Sequence, residues 1–273
     1  MENFESSGFA TDNLRYERDG FVGTVVLDRP EKLNAFTVEM WHEMADLGAA
    51  LIAEDEIRAL VVRGEGRAFC SGIDVSVFAG GGSDGDGGSL VDPDAIQRLQ
   101  AGFDWLEDAP FPTIAAMHGY AFGAGLQCGL ACDLRVAQEG TQMGILELNF
   151  GIVPDLGGTQ RLPRVVGVGK AKELIYTSAK IDAAEAHRIG LVERLVSESE
   201  FSDHVDALAA ELASRAPLAV RGSKELVNRS FDLSISEGLR LEAETQMVCL
   251  RSEDTVEAMT AGLEGRTPEF KGS

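Results

Sequence analysis

A segment with helical periodicity lies between two buried-strand patterns near the start of the chain, and this order restricts the fold more than any other feature. The run 21–27 is apolar and β-branched, as a half-buried strand requires. Thr37 then stands as a helix N-cap, and Met40, Trp41, Met44, Leu47 and Leu51 fall on one helical face. The run 57–62 reads as a second buried strand. Strand, helix, strand predicts a β-α-β unit and an α/β core. An earlier strand at 14–18 joins the first through the turn Asp19-Gly20, and Pro30 lies beyond the strand because it has no N–H for a ladder.

The pattern continues with a helix over 96–106, a strand over 113–117, a Gly/Ala-rich segment over 125–132 and a strand over 134–137. Asp182 and Glu185 have capping-box spacing, Gly190 closes that helix, and 191–196 reads as a strand. From Phe201 onward only helical runs remain, over 201–214, 217–229 and 235–262. The chain of 273 residues therefore divides into an α/β core, 1–200, and a helical region, 201–273. No repeat of solenoid length is evident. The glycine-dense stretch 79–89 cannot hold regular structure and reads as a mobile loop inserted in the core, either plain surface or the edge of a binding site.

Charge excludes two classes of partner. There are 24 Lys+Arg against 45 Asp+Glu, a net −21. Such a surface repels nucleic acid and anionic membranes. No apolar run is long enough to span a bilayer, and the acidic start Met1-Glu2-Asn3-Phe4-Glu5 is not a secretory signal. Cys70, Cys128, Cys132 and Cys249 form no C-x-x-C pair and no disulfide framework, so a reducing cytoplasm is expected. The histidines His42, His118, His187 and His204 are too scattered for a zinc site, and no G-x-S-x-G elbow occurs. Gly167-Val168-Gly169-Lys170 fails as a phosphate loop, because Arg164 and Ala171 stand where Gly and Ser/Thr are needed. No metal or redox cofactor is implied.

Three segments carry possible chemistry. Residues 64–74, ending Cys70-Ser71-Gly72-Ile73-Asp74, follow one buried strand. The segment His118-Gly119-Tyr120-Ala121-Phe122-Gly123-Ala124-Gly125 follows another and opens a helix. A helix start has unpaired N–H groups and partial positive charge. Two such loops on parallel strands could aim two N–H donors at one carbonyl oxygen, or could be packing turns only. The third segment, 146–161, carries Glu147 and Asp155 across a turn at Val153-Pro154, and Asp155 is either a catalytic carboxylate or a cap for the helix starting at Gly157. Cys70 and Cys128 read as small buried residues, and His118 as a packing or hydrogen-bonding group.

At these residues the chain resembles the crotonase superfamily, the enoyl-CoA hydratase/isomerase family. The resemblance rests on Leu27-Asp28-Arg29-Pro30-Glu31-Lys32-Leu33-Asn34-Ala35, Ala68 to Asp74, Gly119 to Gly125, Cys132-Asp133-Leu134-Arg135 and Pro154 to Arg161. It implies a spiral of repeated β-β-α units with a C-terminal helical region that trimerises, trimers often pairing into hexamers. It implies a coenzyme A thioester as substrate, with CoA part of the substrate and not a cofactor. The N–H groups of Ile73 and Ala124 would form the oxyanion hole. Arg29, Lys32, Leu33 and Ala35 would lie along CoA, with Ala68, Ser71, Gly72 and Asp74 near it. Tyr120, Phe122, Gly123, Gln127 and Pro154 would complete the substrate site. Phe270 and Lys271 would approach the adenine, on this or a neighbouring subunit.

Two departures bear on the reaction. The family's standard hydratases use two glutamates; one aligns with Glu147, the other with Gln127, which cannot exchange a proton at neutral pH. Asp155 stands where those hydratases have glycine and aligns with the acid/base of several family isomerases. The expectation is therefore double-bond isomerisation of an enoyl-CoA, with Asp155 and Glu147 shuttling the proton. The alternatives are hydration of a 2-enoyl-CoA with Glu147 as main acid/base, and a non-catalytic acyl-CoA-binding homologue.

Overall fold

The structure, a computed structural model, describes residues 9–54, 56–79 and 92–273. All but the first residue of the glycine-dense stretch 79–89 lies outside them. In chain order the elements are β1 Leu14–Asp19, β2 Val22–Leu27, α1 Val38–Ile52, β3 Ala59–Gly64, α2 Ser76–Ala79, α3 Pro93–Asp108, β4 Thr113–Met117, β5 Tyr120–Phe122, α4 Ala124–Ala131, β6 Leu134–Gln138 and β7 Gln142–Gly144. They continue with α5 Gly158–Val166, α6 Val168–Thr177, β8 Ile181–Asp182, α7 Ala183–Arg188, β9 Arg194–Val196, α8 Phe201–Ala213, α9 Pro217–Arg229, α10 Ile235–Leu250 and α11 Glu253–Glu264.

Six strands form one sheet in the order β1-β2-β3-β4-β6-β9. β1 is antiparallel to β2 through the Asp19-Gly20 turn, and every later neighbour is parallel. A second sheet, β5-β7-β8, stands beside it. Chain progress from β4 to β5 to α4, then from β6 to β7 to α5, repeats one strand of each sheet and a helix per turn.

Both faces of the main sheet are covered, as a parallel sheet requires. Leu60 and Val62 join the larger core with α1 and α3, while Val61, Ile114, Ala116 and Val136 pack on Val205, Leu208 and Ala209 of α8. Thr37 caps α1 by accepting from the Met40 N–H at 3.3 Å. Phe36, Trp41 and Phe103 form an aromatic cluster with ring centroids 5.1–6.3 Å apart. Each such buried ring contributes roughly 2–3 kcal/mol. α1 and α3 approach closely because a Cβ on Gly48 would lie 2.3 Å from the Trp105 ring.

Some boundaries differ from the sequence reading. The strand expected over 191–196 is only Arg194–Val196. Leu191 and Val192 are apolar because they are buried, and the Leu191 carbonyl takes the Arg135 Nε–H at 2.8 Å outside the ladder. The helical run 235–262 is two helices. Ser252 breaks it by accepting the Thr255 N–H at 3.2 Å as the cap of α11. Among the described residues no helix is long and apolar enough to cross a membrane.

Candidate active site

β3 and β4 are parallel neighbours, so the loops that follow them leave the same edge of the sheet. The two loops are zipped together. Phe69 N–H donates to His118 O at 2.9 Å, Cys70 N–H to Tyr120 O at 2.9 Å, and Phe122 N–H to Cys70 O at 3.0 Å. On the other side, Phe36 N–H donates to Gly72 O and Phe36 O accepts from Asp74 N–H, each at 2.8 Å. The peptide between Gly72 and Ile73 thus turns its oxygen to Phe36 and its N–H away. Gly72 (φ +118°) and Gly123 (φ +52°) hold backbone conformations that disfavour a side chain. The N–H of Ile73 and that of Ala124, the first residue of α4, donate to no acceptor among the described residues. Two unpaired donors on adjoining loops, one at a helix start, suit a developing oxyanion.

Glu147 reaches this point from the turn after β7. A Cβ on Gly123 would lie 3.2 Å from Glu147 Oε1 and 3.8 Å from Gly72 Cα. Gln127, on α4, donates from Nε2 to Glu147 Oε1 at 2.6 Å. Its Oε1 accepts from Leu156 N–H and Gly158 N–H, both at 2.9 Å. Glu147 is only 8% exposed, and its Oε2 is buried without a hydrogen-bond partner. Burial pushes the Glu147 carboxyl above its usual range; the Gln127 hydrogen bond opposes that, and the Asp155 charge adds to it.

Asp155 lies between the Glu147 turn and α5, half-buried, and burial raises its carboxyl too. It does not cap α5: Gly157 is the N-cap, with no side-chain hydrogen bond. The Asp155 carbonyl is held by Gln100 Nε2 from α3 at 2.6 Å. Pro154 is buried beside Gly158.

Residues 29–35 wrap beside the Ile73 loop. Ser71 N–H donates to Leu33 O at 2.9 Å, and Lys32 is exposed at the rim. Arg29 binds Ala35 O at 2.6 Å and Asp74 at 3.0 Å. Ala68 is buried, and Asn34 Nδ2 donates to its carbonyl at 2.7 Å. Asn34 is a residue to which the sequence reading gave no role. Its left-handed φ of +56° and complete burial make it the peg joining residues 29, 65 and 68. Tyr120 and Phe122 stack at 5.5 Å, with Lys180 Nζ 4.9 Å from the Phe122 ring. Burial pushes the Cys70 thiol up to about 12 and the Cys128 thiol well above its usual value, so neither is a nucleophile at neutral pH. His118 Nε2 lies 3.0 Å from Gly66 O, and burial lowers its pKa.

Phe270 and Lys271 are not brought to this point. Phe270 O takes Arg58 Nη1 at 2.8 Å, and Lys271 N–H donates to Asp254 at 2.7 Å. Arg58 precedes β3, so the tail lies at the N-terminal edge of the sheet, opposite the two loops.

A sequence profile described as enoyl-CoA hydratase/isomerase matches residues 17–273. The chain belongs to the enoyl-CoA hydratase/isomerase family. A Clostridium acetobutylicum protein named short-chain-enoyl-CoA hydratase is 36% identical over 265 residues, 94% of this chain and 97% of that one. A Syntrophomonas wolfei protein named crotonyl-CoA hydratase is 34% identical over 263 residues, 96% and 98% of the two chains. The crystal structure of an enoyl-CoA hydratase from Bacillus anthracis superimposes with a TM-score of 0.88 at 32% identity, covering 96% of this chain and all of that one. The fold is thus the family's crotonase-like spiral of β-β-α units with a helical C-terminal region. As a member of the enoyl-CoA hydratase/isomerase family, the protein is an enzyme acting on coenzyme A thioesters.

Proposed function

We propose that the protein adds water across the double bond of a 2-enoyl-CoA, with Glu147 as the acid/base and the Ile73 and Ala124 N–H groups as the oxyanion hole. The observation that carries this reading is the buried, unpartnered Oε2 of Glu147 beside the two free donors. Ionised Glu147 takes a proton from water as the water oxygen bonds to Cβ. The π electrons move toward the thioester oxygen, where the two N–H groups hold the enolate. Glu147 then returns the proton to Cα on the same face, and the product is a 3-hydroxyacyl-CoA. Loss of one such donor costs about 3 kcal/mol at the transition state. The names of the relatives favour hydration over the isomerisation suggested by Asp155.

Isomerisation of a 3-enoyl-CoA to a 2-enoyl-CoA is the second reading, favoured by one observation: the half-buried Asp155 carboxyl, raised by burial, whose charge in turn acts on Glu147. One experiment separates the two. Purified enzyme is given a 2-enoyl-CoA and a 3-enoyl-CoA in deuterated water, and every CoA ester is followed by mass spectrometry. Gain of one water by the 2-enoyl ester, abolished in Glu147→Gln and retained in Asp155→Asn, supports hydration. Double-bond migration without water addition, lost in Asp155→Asn, would replace it by isomerisation. Binding without turnover of either ester would make the chain an acyl-CoA-binding homologue.

The proposal also covers the ligand contacts and the assembly. Arg29, Lys32, Leu33, Ala35, Ala68, Ser71, Gly72 and Asp74 would flank CoA, and Tyr120, Phe122, Gly123 and Pro154 the acyl side. α8 covers the sheet and α9 is docked on the core through Lys224 and Asn228, which leaves α10 and α11 of the 201–273 region to join copies into a trimer or a dimer of trimers. Phe270 and Lys271 would then serve the site of another copy.

A further inference from the structure

We propose that Gln127 is a positioning residue that clamps Glu147 to the Asp155 segment and selects Glu147 Oε2 as the oxygen that works. The inference rests on Glu147 as the acid/base and assigns Gln127 a task other than touching substrate.

The geometry leaves the carboxamide one orientation. Two backbone donors, the N–H groups of Leu156 and Gly158, converge on one atom of Gln127 at 2.9 Å, and only the oxygen can accept both. Nε2 must then face Glu147 Oε1, 2.6 Å away. Gln127 is 1% exposed and cannot swing out. Gly158 makes room for it, because a Cβ there would lie 2.8 Å from Gln127 Oε1. The amide oxygen is therefore fully engaged and has no lone pair aimed at a water in the cleft. Of the two Glu147 oxygens, Oε1 is occupied and Oε2 is free.

Donation from Nε2 also favours the ionised form of Glu147 against its burial. Asp155 is the charged group that acts on Glu147 from the following segment. α4 carries no charged residue. On α6, which packs beside the Glu147 turn, Lys170 pairs with Glu173 at 2.6 Å, and Lys172 is exposed. A glutamate at 127 would set a second carboxylate oxygen against Glu147 Oε1, and the two would need a shared proton.

The test uses Gln127→Met and Gln127→Glu in the full-length enzyme. The Glu147 carboxyl is titrated in the free protein by 13C NMR, with Glu147→Gln for assignment, and kcat and KM for a 2-enoyl-CoA are measured across pH. In Gln127→Met the Glu147 titration should move up by about one to two pH units. kcat should fall about tenfold or more, with KM within about threefold. Gln127→Glu sets two carboxyls side by side, so the Glu147 titration should there split into two coupled steps. An unmoved Glu147 titration in Gln127→Met, or an unchanged kcat in that variant, would overturn the clamp. The titration needs no turnover, so a wrong substrate assignment would leave it intact and fail only in the kinetics.

Discussion

Arg29 donates from Nη2 to the Asp74 carboxylate at 3.0 Å and from Nη1 to the Ala35 carbonyl at 2.6 Å, which ties the segment before α1 to the residue after Ile73. Asp74 also accepts the Ser76 N–H at 2.9 Å. That bond, with the arginine, holds its carboxyl down to about 2. Both side chains are nearly enclosed, at 14% and 11% exposure. Each therefore has a partner in the protein before any CoA arrives, and their first task is to fix the Ile73 peptide.

Asp74→Asn should accordingly damage turnover more than binding. The loss of one charge-assisted bond should cost about 2 kcal/mol of stability at pH 7. kcat should fall while the KM for a CoA ester changes little, because the slack appears at the Ile73 donor. Urea unfolding and steady-state kinetics measure both. A large KM rise with unchanged kcat would instead make Asp74 a direct CoA contact.

Gly123→Ala should be worse for activity than for folding. The new Cβ would lie 3.2 Å from Glu147 Oε1, at a backbone φ of +52° that alanine disfavours. Moving the carboxylate or the Ala124 N–H by a few tenths of an ångström misaims the acid/base or the donor. A kcat loss of about 10–100-fold is expected, from a stability cost of only about 1–2 kcal/mol. Comparing kcat with the thermal midpoint separates the two effects.

The burial of the Glu147 carboxyl has a cost in stability that pH exposes. Its folded pKa is raised above the ordinary 4.5 by burial, so the stabilisation it brings is fully present below that value. That stabilisation is lost as pH rises through the folded pKa, where a charge must sit in a buried place. Glu147→Gln removes the charge. The variant should be inactive yet more stable than wild type at pH 8, and the gap should close as pH falls to about 4.5. Denaturant midpoints at the two pH values check it; a gap independent of pH would mean the carboxylate is not desolvated.

Local patterns in the sequence account for much of the fold. Thr37 and Asp182 cap the helices they were expected to cap, and Gly190 closes α7 with φ +77°. These are signals within one turn of chain. The helix break at Ser252 was missed because the apolar residues on either side keep nearly the same spacing across it. The site is different. That two N–H donors follow adjacent strands was legible from Gly72 and Gly123 once the strands were paired. The Gln127 clamp was not, because its partners lie at 147, 156 and 158, and nothing near Gln127 shows which of its amide atoms faces which. The Arg29–Asp74 pair spans 45 residues and is equally silent.

The outer face of the C-terminal helices sets the last prediction. α10 has no buried residue in the single chain, although it carries Ile235, Leu239, Met247, Val248 and Leu250. α11 adds Val256, Met259 and Leu263, the last 91% exposed. Covering one such side chain is worth about 1.5–3 kcal/mol, and the proposed assembly would bury them. Light scattering should give three or six times 29.2 kDa for the wild type. A charge at the face, Leu239→Lys with Leu263→Lys, should shift the protein to single chains, because taking an ammonium out of water among apolar side chains is costly. If the tail carrying Phe270 and Lys271 completes the site of another copy, that shift should raise the KM for the CoA ester while leaving kcat within a few-fold. Dissociation with unchanged KM would confine Phe270 and Lys271 to holding the tail, and a wild type that runs as a single chain at micromolar concentration would remove the assembly altogether.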